Sequence, residues 1–193
     1  MKKIIITLSI ILILGMVIAG CSTPPIEEMQ RAMDAVIQAE SDPDAVAYAG
    51  NTLIRARDAL ERMQSEADAK RYDVAKEFAA EAIRNAERAI ADGQTGAARA
   101  RSEAESLLYS LGDPMAETSS AVDIAQQAQD LILDFDSLSQ DLDSARRTYD
   151  EAWQNLGEDN YEDAITNGQD VRSILSDMNG RILEAAQATS RKQ

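Results

Sequence analysis

Few types of side chain in this sequence could carry out chemistry. The chain has one cysteine, Cys21, and no histidine among its 193 residues, whereas aspartate and glutamate together number 34. Without histidine, a histidine-based catalytic triad, a Glu-x-x-His di-iron site and zinc sites of mixed cysteine and histidine are excluded. The sequence also lacks a glycine-rich phosphate loop with its lysine and a Gly-x-Ser-x-Gly motif. We therefore predict no catalytic residues, and we do not expect an enzyme.

The carboxylates form three tight clusters. These are Asp134 with Asp136, Asp141 with Asp143, and the run Glu158, Asp159, Glu162 and Asp163. Residues two apart on a helix diverge by about 200° and cannot share a ligand on one face. The third cluster lies at a predicted helix start, where acids accept hydrogen bonds from free amides and complement the helix dipole. We predict helix capping and no metal site, the alternative being a weak calcium site.

Residues 1–20 have the pattern of a secretion signal that ends before Cys21. A basic start is followed by an apolar stretch over residues 4–19 and by small residues at the cleavage point. The basic residues are Lys2 and Lys3, and the small ones are Ala19 and Gly20. A retained membrane helix is the rival interpretation. Such a span needs about 20 apolar residues, and the apolar run here ends at Cys21-Ser22-Thr23-Pro24-Pro25.

The string Ile18-Ala19-Gly20-Cys21 resembles the lipobox of prokaryotic lipoproteins. The resemblance implies that a transferase joins diacylglycerol to the Cys21 thiol and that a peptidase cleaves between Gly20 and Cys21. Cys21 then becomes the mature N-terminus, and its lipid is the only cofactor expected. The implied localisation is the cell envelope, anchored to a membrane on its extracytoplasmic side. An accidental cysteine is the remaining alternative.

The predicted mature chain is strongly acidic. Residues 1–20 hold two of the 19 basic side chains and none of the 34 acidic ones, so the net charge becomes −17. Only three of the remaining basic residues are lysines, namely Lys70, Lys76 and Lys192. Such a surface repels nucleic acid and anionic lipid headgroups, so no nucleic-acid partner is expected. Solvated helix faces explain the charge, although a protein exposed to high salt would show the same balance.

Apolar residues recur every three or four positions through almost the whole mature chain, which predicts an all-α fold. The clearest series are Ala49, Leu53, Ala56, Leu60, Met63 and Ala67; Tyr72, Ala75, Ala79, Ala82 and Ala86; and Leu138, Leu142, Ala145, Tyr149, Ala152 and Leu156. Steps that average 3.5 residues favour shallow, coiled-coil-like packing. We expect an elongated antiparallel helical bundle of about five helices, with two hairpins joined by a long helical arm.

The predicted helices cover residues 25–40, 43–69, 72–111, 114–156 and 160–189. Asp42-Pro43 and Gly112-Asp113-Pro114 predict breaks because proline favours the first turn of a helix and glycine its end. We assign residues 21–24 to a tether and 25–193 to a helical ectodomain. Within it, 25–91 is a first helical unit, 92–135 the arm and 136–189 a second hairpin. The alternative is a stack of shorter hairpins with a loop at Asp92–Gly96.

Two features suggest repeated helical hairpins. A shift of 89 residues superposes the apolar series, placing Tyr72 on Tyr161 and Ala75 on Ala164, which leaves open whether the chain is duplicated. Residues 25–91, through Tyr48-Ala49 and Tyr72 and the alanines at spacings of three and four, resemble bacterial lipoprotein domains catalogued as domain of unknown function 4398. The Tyr72 and Tyr161 hairpins also have weak tetratricopeptide-like character.

The candidate binding surface consists of Tyr149, Trp153 and Tyr161. Trp153 lies one position past the apolar series, at the flank of the bundle, so partial burial in packing is the alternative role for it. We predict a lipid-anchored interaction or envelope-structural module with a protein partner, which could be a second copy. The alternative function is a helical module that binds a small ligand or peptide beside these aromatic residues.

Overall fold

The computed structural model describes residues 23–128 and 131–191, and in those ranges the protein is built from helices without a strand. The helices are α1 (Ile26–Ser41), α2 (Pro43–Tyr48), α3 (Gly50–Asp68), α4 (Tyr72–Gln127), α5 (Phe135–Gly157) and α6 (Tyr161–Ser190). The all-α prediction is therefore confirmed. Within the same ranges, no helix combines the length and the apolar character needed to cross a bilayer.

The chain divides after Gln94 into two compact units. The first contains α1, α2, α3 and the start of α4, and the second contains the remainder of α4 with α5 and α6. One helix therefore supplies side chains to both units.

The core of the first unit is made almost entirely of alanine. Eleven of its fourteen buried apolar residues are alanines, and the others are Val36, Leu53 and Met63. Because alanine has no side chain beyond Cβ, helix backbones approach closely along such a seam. At Gly93 the approach is closest, since a Cβ there would lie 2.5 Å from the backbone nitrogen of Ala45.

Of the two boundaries between the first three helices, the sequence predicted that between α1 and α2 but not that between α2 and α3. The Asp42 side chain accepts a hydrogen bond of 2.8 Å from the amide of Ala45, and Pro43 occupies the first helical turn, as predicted. The single helix predicted over 43–69 is wrong, because Ala49 (φ −124°, ψ 26°) separates α2 from α3. Its carbonyl still accepts from Thr52 and Leu53, so α3 begins at once.

The α3–α4 and α5–α6 turns have the same backbone geometry 89 residues apart. Lys70 (φ 59°) and Asp159 (φ 62°) both adopt the left-handed conformation. The amide after each donates to the carbonyl five residues earlier, in Arg71 to Glu66 (2.9 Å) and in Asn160 to Asn155 (2.8 Å). Both predicted breaks are confirmed, and the local structure repeats with the 89-residue shift of the sequence.

The predicted turn at Gly112-Asp113-Pro114 is wrong, because α4 continues through Pro114 to Gln127. The helix pair expected in the arm depended on that turn. The chain instead leaves the helix after Gln127, and α5 begins at residue 135, where Asp134 accepts a hydrogen bond of 3.0 Å from the amide of Ser137. The alternative loop at Asp92–Gly96 is also wrong, since those residues lie inside α4.

Burial in the second unit explains why the helix tolerates proline. Pro114 itself is exposed, whereas Leu108 and Leu111 pack against α5 and α6, and Val122 packs one layer further on. Each buried leucine or valine contributes about 1.5 to 3 kcal/mol, which together offset the cost of roughly 3 kcal/mol for proline in a helix interior.

Two contacts fix α4 against α6. A Cβ on Gly168 would lie 2.8 Å from Leu107 Cδ2, so only glycine fits at this crossing without displacing the leucine. Further along the same two helices, Asn179 Nδ2 donates to the hydroxyl of the fully buried Thr118 at 2.8 Å. Both pairs have the same separation in sequence, so α4 and α6 run in parallel and in register.

We predict that Gly93→Ala lowers the free energy of unfolding by about 1 to 3 kcal/mol. The overpacking against the backbone of Asp44 and Ala45 outweighs the roughly 1 kcal/mol that alanine gains over glycine in a helix. Gly180→Ala is the matched control, since a Cβ there meets nothing within 4 Å, and it should raise stability. Urea unfolding of the leaderless Cys21→Ser chain measures both. Equal stabilisation by the two substitutions would contradict the close approach.

We predict that Pro114→Ala raises the free energy of unfolding by about 1 to 3 kcal/mol. Alanine restores an amide that can donate to the carbonyl of Ser110, and no buried contact is lost because Pro114 is exposed. The same urea assay serves here. Destabilisation would show that residues 112–114 form a turn in solution.

Candidate functional site

The structure brings together Tyr149 and Trp153, two of the three predicted aromatic residues, and places Tyr109 beside them. The Trp153 ring contacts the Tyr149 ring edge to face, with centroids 6.2 Å apart. Tyr109, on α4, also packs edge to face against Trp153, with ring centroids 5.1 Å apart. We call Tyr109, Tyr149 and Trp153 the aromatic cluster.

The three members of the aromatic cluster differ in exposure. Tyr149 and Trp153 are half-buried against the core of the second unit, as the alternative packing role for Trp153 anticipated. Tyr149 also donates its hydroxyl to the Leu108 carbonyl at 3.1 Å, which holds α5 against α4. Tyr109, by contrast, is 73% exposed. It is thus the member that presents most surface to solvent.

Tyr161 is placed in the core and not on a surface. It is only 8% exposed, and its hydroxyl donates to Asp159 at 2.6 Å across the α5–α6 turn. Its aromatic ring therefore helps to fix the start of α6. Tyr109 was not predicted as a surface residue because it directly follows Leu107 and Leu108, whose apolar side chains indicate a buried seam.

Glycine lies beside the Tyr149 hydroxyl. A Cβ on Gly112 would be 3.9 Å from that oxygen, which is ordinary van der Waals contact. The position one helical turn from Tyr109 therefore carries no side chain, and the flank of the aromatic cluster stays uncovered there.

Most of the acidic clusters have structural partners. Asp134 caps α5, Asp141 binds Arg181 at 2.6 Å, Asp143 lies 3.6 Å from Arg146, and Asp159 accepts from Tyr161, while Glu162 and Asp163 lie in the first turn of α6. Over residues 23–128 and 131–191, no three or more acidic, cysteine or histidine side chains are grouped so that they could hold a metal ion.

Ion pairs account for the shifted pKa values. Arg181 donates a hydrogen bond to Asp141, which raises the pKa of Arg181 above its usual value, and Asp177 adds to the effect. Arg101 likewise has a raised pKa, first because Glu105 accepts its hydrogen bond at 2.9 Å. At the α3–α4 turn, the bidentate contact with Arg71 lowers the pKa of Glu66. These groups stay charged near neutral pH and do not resemble catalytic acids or bases.

Two open cavities in the second unit are lined by residues outside the aromatic cluster. One, of about 430 Å³, lies between Ile132–Asp134 and the end of α6 from Arg181 to Ala188. The other, of about 270 Å³, has a mixed lining of Glu103, Ser106, Leu107, Ser110, Gln169 and Arg172. Cys21 and the cleavage position after Gly20 lie outside the described residues.

Residues 27–105 match a family model described as a domain of unknown function (DUF4398). The match confirms the resemblance predicted for residues 25–91 and extends it into the second unit. The comparisons with curated proteins and with solved structures gave no match.

Proposed function

We propose that this protein is a lipid-anchored interaction module of the cell envelope. Diacylglycerol on Cys21 holds it to a membrane on the extracytoplasmic side, and its helical units bind a protein partner. The lipid is its only cofactor, and the protein carries out no catalysis of its own. The proposal for the anchor is supported by the lipobox-like string that ends at Cys21.

The observation that carries the binding role is the exposed ring of Tyr109, which packs on the half-buried ring of Trp153. Aromatic residues are enriched in the centres of protein interfaces, where they bury a large area at a small entropic cost. Tyr109 leaves 73% of its surface in water, although its neighbour Leu108 is fully buried. The Trp153 ring holds it in place, so a partner meets a positioned ring rather than a mobile one.

The charge of the chain indicates the kind of partner. A net charge of −17 after the leader is removed favours a partner with a basic surface and disfavours nucleic acid. A basic side chain can also lie over the face of tyrosine or tryptophan. We therefore expect lysine or arginine of the partner to face the aromatic cluster.

We predict that membrane association is lost in Cys21→Ser, because no other thiol is available for a lipid. Cells that express the wild-type and mutant chains are fractionated, and the mature mass and incorporated lipid label are compared. Wild-type protein should sediment with membranes and carry the label. A mutant that is processed to the same mass and carries the same label would refute the lipid anchor.

We predict that a photo-crosslinking amino acid at position 109 gives discrete protein adducts in cells. The matched control is the same amino acid at Ile54, which is also exposed and apolar but lies in the first unit. Adducts at position 109 should disappear when Trp153 is replaced by alanine in a chain that remains helical. Mass spectrometry then distinguishes a second copy from another protein.

Adducts at position 54 alone would contradict the assigned surface. If neither position gives a protein adduct, while small molecules or peptides raise the melting temperature of the wild-type chain, the ligand-binding alternative is favoured. A Tyr149→Phe variant serves as a folding control in both assays. It loses the hydrogen bond to the Leu108 carbonyl, so its free energy of unfolding should fall by about 1 kcal/mol.

A further inference from the structure

We infer that one end of the first unit lies against the lipid headgroups of the membrane that holds the anchor. This anchor-proximal end consists of Ile26, the α3–α4 turn at Ala69–Arg71, and Val74 at the start of α4. The inference rests on the proposed lipidation of Cys21. Its partner is a lipid surface and not a protein.

The chain between Cys21 and the folded unit is short. Pro25 is buried, its carbonyl accepts from Met29 at 3.0 Å, and the Pro24 carbonyl accepts from Ile26 at 2.9 Å. Only four residue steps therefore separate Cys21 from a residue that is fixed to the bundle. Even when fully extended, those steps span about 14 Å, since each residue reaches at most about 3.6 Å.

That length keeps the start of α1 close to the bilayer. A lipid on the Cys21 thiol has its acyl chains in the hydrocarbon region, and each headgroup layer is about 5 to 8 Å thick. The bundle therefore begins within about one helix diameter of the headgroups, because a helix with its side chains is about 10 to 12 Å wide.

Helix geometry shows which other residues lie at this end. Near the far end of α1, Glu40 binds Arg57 of α3 at 2.5 Å. From that contact α1 extends 14 residues back to Ile26, or about 21 Å, and α3 extends 12 residues on to Ala69, or about 18 Å. The α3–α4 turn is therefore near the level of Ile26, and Val74 follows it.

The chemistry of the anchor-proximal end differs from that of the chain as a whole. Ile26 and Val74 are both exposed, at 71% and 37%. Two of the three lysines in the mature chain, Lys70 and Lys76, lie in or just after the turn. Apolar side chains flanked by lysine suit the membrane interface, where the ammonium groups reach headgroup phosphates. Acidic residues, including Glu27 and Asp73, limit the attraction, so the tether and not charge holds the contact.

The test uses the lipidated full-length chain in vesicles of phosphatidylcholine and phosphatidylglycerol with brominated acyl chains. In a Trp153→Phe background, a single tryptophan replaces Ile26 or, as the matched control, Val46. Both positions are exposed and apolar, and Val46 lies in α2, beyond the opposite end of α1. Fluorescence of the tryptophan at position 26 should be quenched several-fold more than that at position 46. Equal or reversed quenching in vesicle-bound protein would overturn the inference.

A second measurement avoids substitutions. A membrane-impermeant amine reagent modifies the wild-type chain, and mass spectrometry gives the rate at each lysine, with Lys192 as the internal reference. Vesicle binding should lower the relative rates at Lys70 and Lys76 several-fold, and unchanged rates would overturn the inference. Cys21→Ser separates the two proposals. If the wild-type chain fails to bind vesicles, or if the mutant binds equally well, the lipid anchor itself is refuted.

Discussion

Both cores of this protein depend on side chains from one helix, α4. Its first part packs Ala75, Ala79 and Ala82 into the first unit, and its later part packs Leu108 and Leu111 into the second. Helix nucleation is costly and propagation is not, so one long helix orders residues in two cores after a single nucleation event.

The two units fill equivalent core positions with side chains of different size. In the first, alanines at positions 82, 86 and 89 face the core, whereas Val171, Leu175 and Met178 occupy the positions 89 residues later. Small residues bring backbones together, and large residues fill the space between helices that are further apart. The turns, however, keep their left-handed residue and hydrogen bonds in both units. Thus the backbone pattern repeats while the side chains that fill it change.

Periodicity predicted most of the fold because the buried apolar residues recur every three or four positions along the helices. The boundary at Pro43 was predictable from its own residues, since Asp42 caps the helix locally. Pro114 misled the prediction because the contacts that keep it helical come from α5 and α6, far away in sequence. The break at Ala49 falls on the best helix former, and only the neighbouring Gly50 gave a local signal for it.

The candidate site was predictable in part for a related reason. Tyr149 and Trp153 are four residues apart on one predicted helix, so their proximity followed from helix geometry. Tyr161 carries the same apolar signal, but its position at a turn buries it. The exposure of Tyr109 depends on how α4 is rotated against α5, and tertiary packing alone determines that rotation.

The alanine core of the first unit also affects how stability depends on temperature. The heat capacity of unfolding grows with the apolar area that becomes exposed, and a methyl group contributes little of it. A unit whose buried residues are mostly alanine should therefore have a flatter stability curve than one that buries leucine, valine and methionine. On warming or cooling, the free energy of unfolding of the second unit changes more steeply, so the difference in stability between the two units depends on temperature.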